Sequence, residues 1–457
     1  MTAAGAFTDA ANAGRFVKLF QDMARFNANR RKWLIWDGKR WATDERGKVM
    51  EMAEQTSRGI LQEAAAEQDG DQAAKLAKWG AASLDKPQLV NMLMLAQHKL
   101  AIVMEELDRD SYLLNCQNGT LDLRTGELRG HRRTDLITRI VNADYNPAAK
   151  CPTWDAFLNR VMLENSEMVR FLQRCIGYSL TGTTKEQCLF ICHGNGANGK
   201  STFLETNKRL LGDDYAAGTP SESILSRHFD GGIPNDLARL KGARFVTINE
   251  IQQGRRMDEP KVKAMTGGDT LTARFLHGEF FDFVPEFKLW IRANHKPEIT
   301  GTDNAIWRRV RLIPFEVEIP PAEQDPDLLD KLRGEWDGIL RWAVEGCLLW
   351  QQDRLNPPET VTQATAGYRE EMDTLQHFLD ERTELADGFL PFKTLYAVYT
   401  AWCDETGERP MKQKQLSQAM TERGYEPARA GRDGSRGFRG IVATSKVETL
   451  TLSEVEA

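Results

Sequence analysis

The sequence predicts an α/β fold, and three observations carry the prediction. The apolar run Cys188–Cys192 leads into Gly-Asn-Gly-Ala-Asn-Gly-Lys-Ser-Thr at positions 194–202, which opens a helical stretch through Leu211. From Cys151 to about Trp350, further apolar runs alternate with helical patterns and turns, the order expected of an α/β core. Beyond Pro357-Pro358, two helical patterns precede a glycine- and arginine-rich stretch, the order of a winged helix. The expected organisation is a mixed α+β domain over 1–148, the α/β core over 149–356, and a linker helix with a winged-helix-like module over 357–457.

Taken in order, the first 145 residues begin with a helix over Ala10–Arg25. Trp33–Trp41 then reads as a hairpin turning at Asp37-Gly38, and Leu113–Leu123 as another turning at Asn118-Gly119. Helical patterns cover Val49–Ala66 and Lys86–Met104 between them. The tryptophans are expected in the core, although a pair beside Lys39 and Arg40 could instead stack on bases. Helices are expected over Trp154–Leu180, and a linker helix over Val361–Arg382. The first helix of the C-terminal module places Leu395, Val398, Tyr399 and Trp402 on one face, and a second covers Gln413–Arg423. Arg429, Arg432, Arg436 and Arg439 follow, and between Arg409 and Lys446 nine Lys or Arg stand against three Asp or Glu. Those four arginines are the expected duplex-DNA contacts of this module.

A chain of 457 residues that is 41% hydrophobic can form several domains with their own cores. Its formal net charge of −6 excludes a cationic coat over the whole surface, so any DNA contact is localised. Seven cysteines without a repeated C-x-x-C speak against a disulfide framework or a zinc ribbon and for a reducing, cytoplasmic setting. Cys188 and Cys192 read as packing residues of the strand that enters the glycine-rich loop. No basic-then-apolar N-terminus and no run of 18 apolar residues occurs, so neither secretion nor a membrane partner is expected.

The loop is a nucleotide triphosphate site by its chemistry. Backbone N–H groups along Gly194, Asn195, Gly196, Ala197, Asn198 and Gly199 would curl around phosphates, at the positive end of the helix that Lys200, Ser201 and Thr202 begin. Lys200 is expected to reach the β and γ phosphates of ATP and Ser201 to ligate Mg²⁺. Fifty residues on, Arg244–Ile248 is an apolar strand ending in Asn249-Glu250. Glu250 is the expected base for the attacking water and a metal-shell ligand. Asn249 stands where a second carboxylate is usual, so Glu250 either serves alone with Ser201 and waters or is assisted by another acid such as Asp269. The strand Phe287–Ala293 is tipped by Asn294, suited to sense the γ-phosphate. Arg308 and Arg309 have the form of an arginine finger acting on a neighbouring subunit's nucleotide, the alternative being a surface ion-pair cluster. Between the Glu250 and Asn294 strands, Lys261–Asp269 leads into a hairpin of Leu271–Phe275 and Phe280–Val284, turning at His277-Gly278-Glu279. Lys263, Arg274 and His277 are the expected contacts to a single-stranded phosphate backbone.

Together the Gly194–Thr202 loop, Lys263 through Arg274 with its Thr-Gly-Gly-Asp centre, Ala293-Asn294-His295-Lys296-Pro297 and Trp307-Arg308-Arg309 resemble superfamily 3 helicases of the phage, plasmid and poxvirus primase-helicase family. Asn118–Gly126 is similar to the family's pre-helicase segment, so the resemblance runs from about Phe16 to Trp350, with the C-terminal module similar to an appended winged helix. It implies an AAA+ ATPase core in a homo-oligomeric, hexameric ring that uses ATP and Mg²⁺ to translocate on single-stranded DNA. By analogy the ring moves 3′ to 5′ and unwinds forked DNA during replication of a phage, plasmid or mobile element, in a bacterial host cytosol. Relatives often carry an upstream primase domain. The segment here is too short for one and shows no metal-binding carboxylate cluster, so no primer synthesis is expected of this chain; a primase would be a separate protein, or the chain a fragment. The competing reading is an initiator or loader whose ring melts or marks an origin with ATP as an assembly switch. A remodeller of protein partners is disfavoured by the basic C-terminal module.

Overall fold

Five strands form a sheet in the order Val310–Pro314, Leu189–His193, Lys288–Ala293, Phe245–Ile248, Ala216–Thr219, with every neighbouring pair parallel. In chain order that is fifth, first, fourth, third, second. This computed structural model describes residues 7–226, 235–275, 279–300, 304–430 and 434–444, and the chain divides into two compact units, Met1–Thr365 and Ala366–Ala457. Strands covered on both faces read as continuous apolar runs rather than alternating ones, which is why Leu189–Cys192 and Phe245–Ile248 are buried throughout. Register fixes where the chain leaves the sheet. Ala293 pairs with His193 and Ile248 with Ile291, so the chain leaves the sheet toward Gly194, Asn294 and Glu250 along one carboxyl edge.

Aromatic packing ties the helices to this sheet. Trp290 stacks on Phe190 at 4.3 Å and donates its indole N–H to Ser179 Oγ at 3.1 Å. Phe203, from the helix Lys200–Tyr215, lies between Trp290 at 5.8 Å and Trp154 at 5.7 Å. The helices Ser166–Leu180 and Trp336–Asp353 cross so closely that a Cβ on Gly177 would sit inside the Gly346–Cys347 backbone, and one on Gly346 inside that of Gln173. Lys288 is fully buried at the start of its strand, where burial pushes its pKa well below the usual lysine range. Its ammonium donates to the carbonyls of Thr181, Thr183 and Glu286.

The earlier part of the first unit has a four-stranded sheet in the order Trp41–Thr43, Lys32–Trp36, Ala24–Asn27, Ala101–Ile102. Its helices are Asp9–Phe20, Lys48–Ala66, Gly70–Ala82 and Lys86–Gln97. Two expected helices end early for the same reason. Ala24–Asn27 pairs with the tryptophan strand, Phe26 opposite Trp33, and Ala101–Ile102 adds in parallel to Phe26–Asn27. Long-range pairing thus overrides local helical pattern. Trp36 and Trp41 are 8% and 1% exposed, with rings 5.8 Å apart, while Arg40 pairs with Asp214 and Lys39 donates to Gln117 at 2.9 Å. The base-stacking alternative is therefore corrected: this pair is core. The hairpin Leu113–Cys116 and Gly119–Asp122 turns at Gln117-Asn118, one residue earlier than expected, because Gly119 already pairs with Cys116 and lies against the Arg129 carbonyl. Its Leu114 and Leu121 share one core with the helices Pro152–Val161 and Ser166–Leu180.

The second unit contains the helices Thr374–Arg382, Phe392–Thr406 and Gln413–Glu422 and a sheet in the order Phe389–Pro391, Ser435–Arg439, Glu426–Ala430. Leu395, Val398, Tyr399 and Trp402 face its core, as their spacing predicts, with Phe378 packed against Tyr399 and Trp402. The expected continuous linker helix breaks after Glu371, where the Asp373 carboxylate accepts from Gln376 N and caps a new helix. Among the described residues no helix is long and apolar enough to cross a membrane.

Gly177→Ala is expected to cost about 1–3 kcal/mol of stability, because the added methyl must push two helix backbones apart. Urea unfolding measures this. Wild-type stability of the variant would show that the crossing has slack.

Candidate functional site

The glycine-rich loop is shaped by what packs against it. Gly199 has φ +85, and a Cβ there would meet Val161 and Phe157 of the Pro152–Val161 helix at 2.5 and 3.0 Å. Only glycine meets both demands. Asn198 donates to the Phe315 carbonyl at 3.0 Å, and Ile319 N donates to the Ala197 carbonyl at 2.8 Å, so the segment after the fifth strand braces the loop.

A cleft of about 620 Å³ opens over this loop, within the roughly 300–1,000 Å³ that small-molecule sites occupy. It is lined by Gly196 to Thr202, Glu250, Arg292 and Asn294, with Phe157, Arg160, Ile319 and Leu328 among the residues of its walls. Lys200 is 2% exposed. Its ammonium donates to the Gly194 carbonyl at 2.6 Å and to Asn198 Oδ1 at 3.0 Å, and burial above all, with Arg292 nearby, depresses its pKa. Asn294 donates its amide to Glu250 Oε1, and Arg292 donates to Ser201 Oγ at 3.0 Å. Arg160 forms an ion pair with Glu323. A larger cavity of about 1100 Å³ contains none of the loop residues, and Arg139 within it faces Asp108 at 3.9 Å and Glu286 at 4.0 Å.

The structure thus brings Gly196 to Thr202 of the loop, Glu250 and Asn294 into one cleft, whereas Gly194 and Asn195 are not among its lining residues. Asp269 does not line it, which removes the geometric case for that acid as an assistant to Glu250. Arg308 and Arg309 do not line it either, and the two differ. Arg308 is exposed and donates to Gln187 Oε1 at 3.3 Å. Arg309 is 7% exposed and donates to Thr266 Oγ1 at 3.2 Å and the Ala305 carbonyl at 2.5 Å. The expectation of a finger at Arg309 is corrected accordingly: its guanidinium is committed within its own chain.

Lys263 lies partly exposed on the helix Glu259–Gly267, and Arg274 on an antiparallel hairpin of Leu271–Arg274 with Phe280–Phe283. The Arg274 guanidinium sits 5.0 Å over the ring of Phe280, which is 55% exposed. His277 and Arg432 lie outside the described residues. Arg429, Arg436 and Arg439 are exposed on the second unit's sheet, with Arg429 directly opposite Arg436. Sequence reasoning missed Arg292 and the Phe157–Arg160 wall. A charge interrupting the apolar run Leu289-Trp290-Ile291 was the available signal for Arg292.

Residues 13–163 match the family described as "D5 N terminal like", and residues 192–309 match a family of unknown function, DUF5906. The chain is 28% identical over 299 residues to "Putative helicase L207/L206" of Acanthamoeba polyphaga mimivirus, and 25% identical over 333 residues to "Putative helicase 121R" of Invertebrate iridescent virus 3. It is 22% identical over 337 residues to "Putative primase C962R" of African swine fever virus. The D5 N-terminal-like match and these viral proteins named as putative helicases and a putative primase are what the chain is similar to. These relatives are matched over 61%, 65% and 66% of this chain but 31%, 35% and 34% of their own length. The chain therefore spans about a third of the curated relatives it matches. Among solved structures, the C-terminal region of NrS-1 aligns over 95% of this chain and 99% of that one, at 12% identity and a TM-score of 0.49.

Arg309→Ala is expected to lower stability by about 1–3 kcal/mol, since the Thr266 hydroxyl and the Ala305 carbonyl lose a buried donor. Arg308→Ala should stay within about 0.5 kcal/mol of wild type. Denaturant unfolding of both variants checks this, and equal effects would overturn the distinction between them.

Proposed function

We propose that this protein is an ATP-driven replicative DNA helicase of superfamily 3, with an AAA+ core working as a ring on single-stranded DNA. The observation that carries the proposal is the convergence of the Gly194–Thr202 loop, Glu250 and Asn294 at one carboxyl edge of a parallel sheet, where α/β proteins bind ligands. Loop N–H groups and Lys200 would hold the triphosphate, Lys200 exchanging its present carbonyl partner for phosphate oxygens. Glu250 would accept the proton of the attacking water, and Asn294, already bonded to that carboxylate, would fix its direction.

Ser201 and Glu250 are the residues that would hold magnesium. Their hydroxyl and carboxylate line the same cleft. Among the described residues no group of three His, Cys, Asp or Glu could hold a metal alone, which fits an ion bound largely through phosphate oxygens and water. Bound there, it would neutralise charge on the transferred phosphoryl group.

Arg308 is exposed outside its own cleft, as a residue serving a neighbouring subunit's nucleotide must be, and Arg309 would hold its turn in place. A homo-oligomeric ring, by family analogy a hexamer moving 3′ to 5′, follows from that role. The Leu271–Phe283 hairpin, with Lys263, Arg274 and His277, would contact the strand in the channel. The second unit runs helix, two short strands, two helices and a hairpin, an order that supports reading it as a winged helix, and Arg429, Arg436 and Arg439 would meet duplex phosphates. A separate primase remains a proposed partner. Initiation or loading, with ATP as a switch, is the reading favoured if the basic hairpin dominates.

A forked substrate tests the proposal. Wild-type protein with ATP should separate the strands, and Lys200→Ala should abolish turnover and unwinding. Mixing Lys200→Ala with Arg308→Ala should restore part of the hydrolysis, because an intact loop in one subunit can face an intact arginine in the next. ATP turnover without unwinding would favour the switch reading, and mixed rings that never recover would remove the finger in trans. For the basic hairpin, replacing Arg429 and Arg436 by Ala should weaken duplex binding uniformly across sequences and lower the salt slope by about 2. Unchanged duplex affinity would assign that face another partner.

A further inference from the structure

Arg292 is the cation that the nucleotide reading of the cleft leaves without a role. It occupies the last turn-facing position of the Lys288–Ala293 strand, two residues after Trp290 and therefore on the same face. Trp290 packs at 5.8 Å on Phe203 of the Lys200–Tyr215 helix. That face thus delivers the Arg292 guanidinium to the first turn of the helix, where it donates to Ser201 Oγ at 3.0 Å. The hydroxyl that would ligate magnesium also accepts from a guanidinium.

The charges around it are few. Lys200, Arg292 and Glu250 line the cleft together, and Asn249, the residue before Glu250, is uncharged. The remaining charged residues lining the cleft are paired off, Arg160 with Glu323 and Asp325 with Lys331. The cleft is therefore poor in the anionic ligands that would attract a divalent ion by itself and rich in donors for a polyanion.

We propose that Arg292, beside Ser201, supplies the phosphate chain of a nucleoside triphosphate with a cation of the protein's own, so that the triphosphate is held before magnesium arrives. The inference rests on the nucleotide reading of this cleft. A guanidinium presents a planar fork that matches phosphate oxygens, and reaching from the Ser201 hydroxyl to a phosphate held by the adjoining loop needs only a side-chain rearrangement. Arg292 is on this account a binding and positioning residue that lets the site take triphosphate before metal.

The experiment compares the affinity for ATP, read by calorimetry, in Mg²⁺ and in EDTA. Wild-type protein should lose less than about tenfold on removal of the metal. Arg292→Met, which keeps the apolar stem, should lose a further 10- to 100-fold, roughly the worth of a charged hydrogen bond, in EDTA. In saturating Mg²⁺ the same variant should change by less than about threefold, and Arg292→Lys should fall between. An equal loss in Mg²⁺ and EDTA, or none in either, would overturn the role of Arg292. Wild-type protein that binds no ATP under either condition would overturn the nucleotide reading of the cleft, and this inference with it. Thermal unfolding of both variants confirms that folded proteins are compared.

Discussion

The parallel register of the three central strands is the constraint on which the site depends. Ala293 opposite His193 and Ile248 opposite Ile291 bring the chain to the loop, the amide and the carboxylate at one level. A slip of one residue would turn Trp290 away from Phe190 and Phe203, exposing one face of an aromatic column and moving Arg292 away from Ser201 at the same stroke. Register is thus enforced by packing rather than by the site's own polar contacts. Truncating an aromatic side chain of this size in a core costs about 3–5 kcal/mol, more than the net worth of a hydrogen bond such as that from Arg292 to Ser201.

A second layer of constraint comes from buried polar groups outside the cleft. Arg244 donates to the carbonyls of Leu180 and Leu113, and Lys288 to those of Thr181, Thr183 and Glu286. These cations tie the segment after Leu180 and the Leu113 hairpin to the five-stranded sheet. Removing either would leave carbonyls without donors in a region closed to water, the costly kind of loss. The N-terminal hairpin and the central sheet are in this way one structure, with Leu114 and Leu121 contributing to the same core as Trp154 and Phe203.

What was legible in the sequence follows patterns that are local in the chain. The placement of the loop, Glu250 and Asn294 directly after buried strands is legible because an apolar run that ends abruptly in glycine or a polar residue marks where a strand leaves the sheet. The face of the Phe392–Thr406 helix was readable because its period is local. Less visible was everything decided by partners distant in the chain. Phe26 pairs with Trp33 and Ala101, so two helices stop short of their patterns. Arg308 and Arg309 look alike in sequence, and only the packing of Thr266 and Ala305 against one of them separates a buried tether from an exposed side chain. Arg292 needed the identity of the facing helix before its direction could be read.

Arg429 opposite Arg436 has a consequence for how the C-terminal hairpin responds to its solution. Like charges directly across a strand pair oppose the folded hairpin, and dissolved salt weakens that repulsion. Salt also weakens the attraction of such a surface for a polyanion. The hairpin's own order and any hold it has on a polyanion would therefore be pulled in opposite directions by ionic strength. A bound polyanion would do for the fold what salt does, by local neutralisation, so that occupancy and local rigidity of this edge become linked quantities.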